Sequence, residues 1–164
     1  MRKPIDKELA IALEEAIYPR RAGEWEAKKY LRANGADVED VSNNPAYWKK
    51  DIDLIADGVS IEVKWDAAMA TTGNIFIETC SDIDKNKPGW FNFCQADKLY
   101  YGDAKNKMFY IFDFSQLKKY IEAHKDSYKE RRARDTNKYS LGWLVPIGEL
   151  KDLYTTINVA QYSF

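Results

Sequence analysis

The chain has 164 residues, a length that suits one compact domain over residues 1–164. Its formal net charge of -1 argues against a protein that coats nucleic acid over its whole surface, but it allows an acidic site beside a local basic patch. No apolar run approaches the roughly 20 residues of a membrane span. No signal peptide is apparent after Met1, so we expect a cytoplasmic protein. Cys80 and Cys94 lie in apolar or aromatic surroundings typical of reduced core thiols, and His124, the only histidine, makes a zinc site unexpected.

The first part of the chain predicts two helices. Apolar spacing indicates one helix over residues 6–17, which ends before Pro19. A second helix is predicted over residues 22–33, because an apolar stripe at helical spacing is followed by the stop signal Asn34-Gly35.

A β-hairpin is predicted next. Residues 52–55 form a short apolar run, Asp57-Gly58 is a turn signal, and residues 59–64 alternate. The alternation places Val59, Ile61 and Val63 on one face and Ser60, Glu62 and Lys64 on the other.

The second half of the chain mixes strands and helices. The patterns predict strands at 74–80, 108–112 and 139–145 and helices at 91–100, 115–124 and 149–154. This order predicts an α/β (or α+β) domain with a central mixed β-sheet flanked by helices.

The hairpin carries the residues with the most specific chemistry. Glu62 and Lys64 leave the same face of one strand, and Asp53 lies on the strand before it. Two carboxylates, helped by a backbone carbonyl such as that of Val63, supply the hard oxygen ligands that Mg²⁺ prefers. An ammonium beside them can orient a water molecule or stabilise charge that develops on a phosphate.

The acid-x-Lys pattern alone is not specific. It occurs at Glu26/Lys28, Glu62/Lys64, Asp103/Lys105 and Glu149/Lys151. Only the second pair lies in a clear strand pattern with an acid on the preceding strand. The alternative interpretation is a surface ion pair on a half-exposed sheet.

Asp53 followed by Glu62-Val63-Lys64 resembles the core motif of the PD-(D/E)XK, or restriction-endonuclease-like, nuclease superfamily. The stretch 51–58 is similar to the first motif strand of archaeal Holliday-junction resolvases and their bacterial relatives. An upstream helix with the same spacing of acidic, small, leucine and glycine residues is present at Glu24, Ala27, Leu31 and Gly35. Segments 72–78, 88–90 and 96–97 look like nucleases encoded by bacteriophages. The chain departs from the motif in having Ile52, not Pro, before Asp53, and in a shorter gap to Glu62.

The resemblance implies a restriction-endonuclease-like fold and a DNA endonuclease that uses Mg²⁺, with Mn²⁺ as a substitute. It implies that Asp53, Glu62 and the Val63 carbonyl bind the metal, that Lys64 positions or activates the nucleophile, and that Glu24 reaches the metal or its waters. It also implies structure-selective cleavage, a homodimer and, for a phage protein, a bacterial host cell.

Several residues keep two interpretations. Glu24 is otherwise a first-turn acid favoured by the helix dipole, with Glu26 as the rival acid. Asp51 is a second ligand or an edge charge, and the edge charge is favoured. Gln95 is a further catalytic candidate, or a solvated polar residue. Glu78 lines the cleft or faces water.

Basic residues indicate where nucleic acid would bind. The candidates are Arg20, Arg21, Lys129, Arg131, Arg132 and Arg134. Phosphate contacts of this kind give affinity without sequence choice, although an ordinary charged helix and loop has the same composition. Two other functions remain open: a sequence-specific restriction endonuclease, for which no base-reading module is apparent, and a catalytically silent nucleic-acid-binding module.

Overall fold

The computed structural model describes residues 21–135 and 137–161, without the side chain of Asp135. The helix predicted at 6–17 and the candidate Arg20 lie outside the described residues. The helices are α1 (Ala22–Ala33), α2 (Pro45–Trp48), α3 (Met69–Thr72), α4 (Trp90–Phe93) and α5 (Phe114–His124), with 3₁₀ turns at Lys125–Ser127 and Ile147–Leu150. The strands are β1 (Val38–Asp40), β2 (Leu54–Ala56), β3 (Val59–Asp66), β4 (Asn74–Asp82), β5 (Lys87–Pro88), β6 (Lys98–Asp103), β7 (Met108–Asp113), β8 (Lys129–Asp135), β9 (Lys138–Pro146) and β10 (Tyr154–Asn158).

Two β-sheets are formed from these strands. The central sheet has the order β1-β2-β3-β6-β7-β10 and is mixed, because β3 and β6 run parallel while the other neighbours are antiparallel. The connection from β3 to β6 contains β4, β5 and α4. Strand β4 belongs to a second, antiparallel sheet with the order β5-β4-β9-β8. The predicted mixed α/β class with a mixed central sheet flanked by helices is confirmed at this level.

The predicted hairpin is β2–β3. Asp57 and Gly58 both have positive φ, of 48° and 81°, as a tight hairpin turn requires. Leu54 is the last residue of β2 in register with β3, opposite Ile61, and the Asp53 N–H still donates to the Ile61 carbonyl at 2.9 Å. Asp53 therefore lies just past the end of β2, where the edge of β3 is no longer covered by a neighbouring strand.

Both faces of the central sheet are covered. Helix α1 packs on one face, where its Ala27 joins Ile61 and Val63 in a buried cluster. The other face carries the larger cluster, to which α5 contributes Leu117 and Ile121 and the second sheet contributes Ile75, Ile77 and Val145. Glu62 and Lys64 leave the sheet on this second face, so they project into a covered region and not into open solvent.

Two predictions of secondary structure are wrong. Only Trp90–Phe93 of the predicted helix at 91–100 is helical, and Lys98–Asp103 is a central strand. That strand is buried on both sides, and periodicity does not separate such a strand from a buried helix. The predicted helix at 149–154 is a 3₁₀ turn followed by β10. The basic segment, for which a charged helix and loop was the alternative interpretation, contains the edge strand β8, which is extended because it pairs along its whole length with β9.

Two further expectations concern membrane-spanning segments and the two cysteines. Within the described ranges no helix combines the length and the apolar composition needed to cross a membrane. Cys94 is buried and Cys80 is half-buried, and both are free thiols. Burial raises the pKa of Cys94 to about 12, which is consistent with an inert core thiol.

Candidate active site

An acidic cavity of about 380 Å³ lies where β2 ends. Its lining residues are Gly23, Glu24, Asp51, Asp53, Glu62, Val63, Lys64 and Trp65. Four carboxyl groups and one ammonium therefore share one small space. Five of the predicted site residues are brought together here: Glu24, Asp53, Glu62, Val63 and Lys64.

The hairpin positions the central acids. The backbone N–H of Val63 donates to Asp53 Oδ2 at 2.9 Å, which fixes the Asp53 carboxylate against β3. The N–H and C=O of a strand residue point to the same edge, so the Val63 carbonyl also lies on the edge that β2 leaves uncovered. Glu62 is only 2% exposed, and the Lys64 ammonium lies 2.5 Å from its Oε1. The alternative of a half-exposed surface ion pair does not describe this buried glutamate.

Glu24 reaches the cavity because α1 approaches β3 closely. A Cβ atom on Gly23 would lie 2.6 Å from the Cβ of Trp65, so only glycine allows this approach. Burial, followed by the nearby carboxylates of Asp53 and Asp40, raises the pKa of Glu24 to about 7. Gly23 was not among the predicted site residues, although a glycine directly before a candidate ligand in the first turn of a helix is the available signal.

The rival acid Glu26 lies elsewhere. Its carboxylate contacts the ammonium groups of Lys29 at 3.0 Å and Lys107 at 3.3 Å. These contacts explain how Glu26 is buried as an ion pair, and it does not line the acidic cavity.

Asp51 belongs to the site, contrary to the favoured interpretation as an edge charge. It has a positive φ of 53°, and its Oδ2 lies 3.8 Å from Lys64 Nζ. Burial raises its pKa, and Asp53 adds to this, while Lys64 opposes it. The left-handed backbone turns Asp51 into the cavity, and such a conformation is not visible in a strand-like sequence pattern.

The pKa values of Glu62 and Lys64 are shifted by burial and by the charges around them. Burial, with the charges of Asp53 and Asp51, raises the pKa of Glu62 well above its usual range, although Lys64 opposes the shift. Burial would lower the pKa of Lys64, but Glu62 and Asp51 outweigh it and raise that pKa. Lys64 is therefore a permanent cation at neutral pH, surrounded by more acids than it can neutralise.

Three carboxylate oxygens of this cavity have no hydrogen-bond partner. They are Glu24 Oε2, Asp51 Oδ2 and Glu62 Oε2, all of them buried. A buried acceptor left without a partner costs about 1–3 kcal/mol, and more when it is charged. Within residues 21–135 and 137–161, no group of three or more His, Cys, Asp or Glu side chains is arranged closely enough to hold a metal ion as it stands. The cation that faces Glu62 and Asp51 is Lys64.

Gln95 is not part of this arrangement. It lies in the loop between α4 and β6, is exposed, and its backbone N–H donates to the carbonyl of Lys50 at 2.8 Å. It lines a separate depression of about 500 Å³ together with Asp97 and Lys118. The helix on which Gln95 was expected does not form.

A second cavity, of about 590 Å³, adjoins the acidic one. Asp51, Lys64 and Trp65 line both cavities. Glu78 lines the second cavity, as one of its two interpretations expected. Its remaining lining includes the aromatic residues Phe76, Trp90, Phe93 and Tyr101. This aromatic wall was not predicted from the sequence, because the rings come from three elements that meet only in the folded chain.

The basic residues of β8 divide between two faces. Ala133 lines the aromatic cavity, and alternation along a strand places Lys129 and Arg131 on the same face. Arg132 and Arg134 point to the opposite face.

The remaining candidates lie away from β8. Arg21 lies next to Glu24 of the acidic cavity, with its Nε 4.0 Å from Glu24 Oε2, and its guanidinium donates to Asn43 Oδ1. His124 stacks on Tyr120 at the end of α5 and lines neither cavity.

Comparison of the chain with protein-family models, with curated proteins and with solved structures finds no match. The function is therefore inferred from the chemistry of the two adjoining cavities.

Proposed function

We propose that the protein is a Mg²⁺-dependent DNA endonuclease with a PD-(D/E)XK type of site on a restriction-endonuclease-like fold. One observation carries the proposal. Buried oxygens of Glu24, Asp51 and Glu62 accept no hydrogen bond in the same cavity that holds Asp53 and the Lys64 ammonium. A protein that only binds a polyanion gains nothing from such a concentration of carboxylates, because each one repels phosphate.

The oxygen donors of the cavity suit a divalent ion in their chemistry, and a bound ion would draw them closer together than they now lie. Asp53, Glu62 and the Val63 carbonyl offer hard oxygen donors, and Glu24 adds a carboxylate from α1. An ion here would coordinate carboxylate oxygens to which no protein group donates a hydrogen bond. It would also require Glu62 to share its contact with Lys64. When bound, Mg²⁺ polarises the scissile phosphate and lowers the pKa of a coordinated water.

The other groups have separable tasks. Val63 N–H holds Asp53 in one orientation, so the ligand is in place before substrate arrives. Lys64 keeps its proton and supplies a positive charge next to the attacking water or the charge that develops on the phosphate. Glu24 and Asp51 add negative charge that favours a divalent cation over a monovalent one.

The proposed substrate is DNA without a strong sequence preference. Phosphate contacts from basic side chains such as Arg131 give affinity without base readout. Structure-selective cleavage, as in a Holliday-junction resolvase, is the preferred form of the activity. Cutting two strands of a junction would require two copies of the chain, which predicts a homodimer on DNA.

The test is a cleavage assay on linear, circular and four-way-junction DNA with Mg²⁺, with Mn²⁺, or with a chelator. Wild-type protein is compared with Lys64→Ala and with Lys151→Ala. The control residue belongs to the same acid-x-Lys pattern but is exposed and lines neither cavity.

The proposal requires cleavage that depends on the divalent ion, is lost in Lys64→Ala and persists in Lys151→Ala. Cleavage that survives both the chelator and Lys64→Ala would refute it, as would the absence of cleavage with either metal. Cutting of the junction alone would support the resolvase form, and cutting at one short sequence would replace it with a restriction endonuclease.

A further inference from the structure

The larger cavity has a wall that phosphate chemistry alone does not explain. Besides Trp65, which also lines the acidic cavity, four aromatic side chains line it: Phe76, Trp90, Phe93 and Tyr101. Phe76 and Phe93 are only partly buried, so their apolar surfaces remain available to a ligand. A pocket that only admits a sugar-phosphate backbone would be lined by polar and basic groups.

Two of these rings are held in place. Phe76 lies over Gly142, where an added Cβ would be 2.7 Å from its Cζ, so only the absence of a side chain leaves room for the ring. The hydroxyl of Tyr101 donates to Asp66 Oδ2 at 2.6 Å and accepts from the Phe76 N–H at 3.0 Å. A fixed aromatic surface loses little conformational freedom when a flat ligand stacks on it.

The aromatic wall is continuous with the acidic cavity. Lys64 Nζ lies 5.2 Å from the centre of the Trp90 ring, and Lys64 lines both cavities. When the phosphate of a nucleotide approaches Lys64, the sugar and base of that nucleotide would therefore lie in one of the two cavities. On the acidic side the lining is mainly carboxylate, and on the other side aromatic rings lie beside the carboxylates of Asp66 and Glu78.

Positive charge is present on the same face. Lys129 and Arg131 share a strand face with Ala133, which lines the aromatic cavity. Both side chains are exposed. They are available to the phosphates that flank a nucleotide in this cleft. Aromatic stacking surfaces beside basic side chains are the combination that binds single-stranded nucleic acid.

We propose that the aromatic cavity receives one unstacked base of a single DNA strand, next to the phosphate that is cut. This inference rests on the proposed nuclease function and names its substrate class. Base stacking inside a duplex hides the flat faces of the bases, and extraction is easiest where a base is already unpaired. The substrate is therefore a single strand or an unpaired segment beside a junction, and intact duplex is a poor substrate.

Binding is measured without cleavage, in Ca²⁺ with the oligonucleotide recovered intact. Three labelled ligands of equal length are compared: oligo-dT, its duplex with oligo-dA, and an abasic oligomer with the same phosphates but no bases. Oligo-dT is expected to bind at least about 10-fold more tightly than the abasic oligomer, since stacking of one base corresponds to roughly 5- to 150-fold in affinity.

Variants then locate the base. Phe93→Ala and Phe76→Ala should reduce the preference for oligo-dT over the abasic oligomer by about 10-fold while leaving abasic binding unchanged. Phe93→Leu keeps an apolar side chain but has no ring, and it should lose most of the same preference. This variant therefore serves as a control for misfolding caused by the alanine substitutions. Tyr139→Ala is the matched control, an aromatic residue 42% exposed on the opposite face of the same sheet.

Equal binding of oligo-dT and the abasic oligomer, or equal effects of Phe93→Ala on both, would overturn the inference. The outcome is separable from that of the proposed function. Metal-dependent cleavage of duplex DNA at the single-strand rate refutes the base pocket and leaves the nuclease intact. Base-dependent binding of oligo-dT by a protein that cuts no DNA supports the pocket and refutes the nuclease.

Discussion

Lys64 Nζ lies 2.5 Å from Oε1 of Glu62, two residues earlier on β3, and the carboxylate that it neutralises is almost fully buried. The two charges depend on each other, because removal of one partner of a buried pair leaves the other charge without compensation. The pair has a second acid beside it, since Asp51 Oδ2 is 3.8 Å from the same ammonium. This relationship predicts that stability and the proposed nuclease activity both depend on Lys64.

Lys64→Ala should lower the free energy of unfolding as well as abolish cleavage. Loss of one partner of a buried ion pair costs about 3–5 kcal/mol. The double variant Glu62→Gln/Lys64→Ala should recover most of that stability without recovering activity, because no unpaired buried charge remains. Denaturant unfolding with chelator present measures the stability of the single and the double variant, and the cleavage assay measures their activity. An equal loss of stability in the single and double variants would show that the buried charge of Glu62 is not the cause.

The adjacency of Asp53, Glu62 and Lys64 was predictable because it is local. The Asp57-Gly58 turn fixes the register of the hairpin, and the register brings the two strands' acids to one place. No pattern in the sequence shows that the face carrying Glu62 is covered. That cover comes from the second sheet, which forms through pairing between segments as distant as Asn74 and Pro146.

Gly23→Ala should show how the position of α1 affects metal binding, because the variant keeps the Glu24 carboxylate. The added Cβ would lie 2.6 Å from Trp65 Cβ and would push the start of α1 away from β3. We expect a loss of about 1–3 kcal/mol in stability and weaker Mg²⁺ binding, because Glu24 moves with the helix. Isothermal titration of Mg²⁺ measures the second effect. Gly148→Ala is the control, since a Cβ there meets no atom within 4 Å. Unchanged Mg²⁺ affinity in Gly23→Ala would exclude Glu24 from the metal's surroundings.

Metal binding should be linked to proton release from Glu24. Its pKa is raised from 4.5 to about 7 without metal, first by burial and then by Asp53 and Asp40. A carboxyl whose pKa is raised by folding contributes stability fully below about pH 4.5, and that contribution is lost as the pH rises through about 7. Metal-free protein should therefore lose stability between pH 5 and 8, and Mg²⁺ should restore it most strongly at the upper end.

Thermal unfolding across this pH range, with chelator and with Mg²⁺, tests the linkage. Glu24→Gln cannot release a proton, so the fall in stability of the metal-free variant should be shallower than in wild type. A metal-free pH profile that is identical in wild type and variant would mean that Glu24 does not hold a proton in the folded protein.

The features that sequence reasoning missed share a physical cause. The aromatic wall joins Phe76, Trp90 and Tyr101 through tertiary packing, so no spacing along the chain marks it. Strand β8 is rich in charge and has no apolar alternation, and it is extended only because β9 supplies its hydrogen bonds. Turn residues and the alternation of apolar side chains are enough to predict the hairpin. They do not predict elements that are stabilised by partners distant in the sequence.

The two faces of β8 predict opposite outcomes for neighbouring arginines. Arg131 shares the face of Ala133, which lines the aromatic cavity, while Arg132 lies over the Tyr139 ring on the other face, 5.4 Å from its centre. Arg131→Ala should weaken binding of oligo-dT and lower the slope of log affinity against log salt by about 0.7, the value of one single-strand phosphate contact. Arg132→Ala should leave both unchanged, and equal effects of the two variants would place the DNA along the strand's outer edge instead of in the cleft.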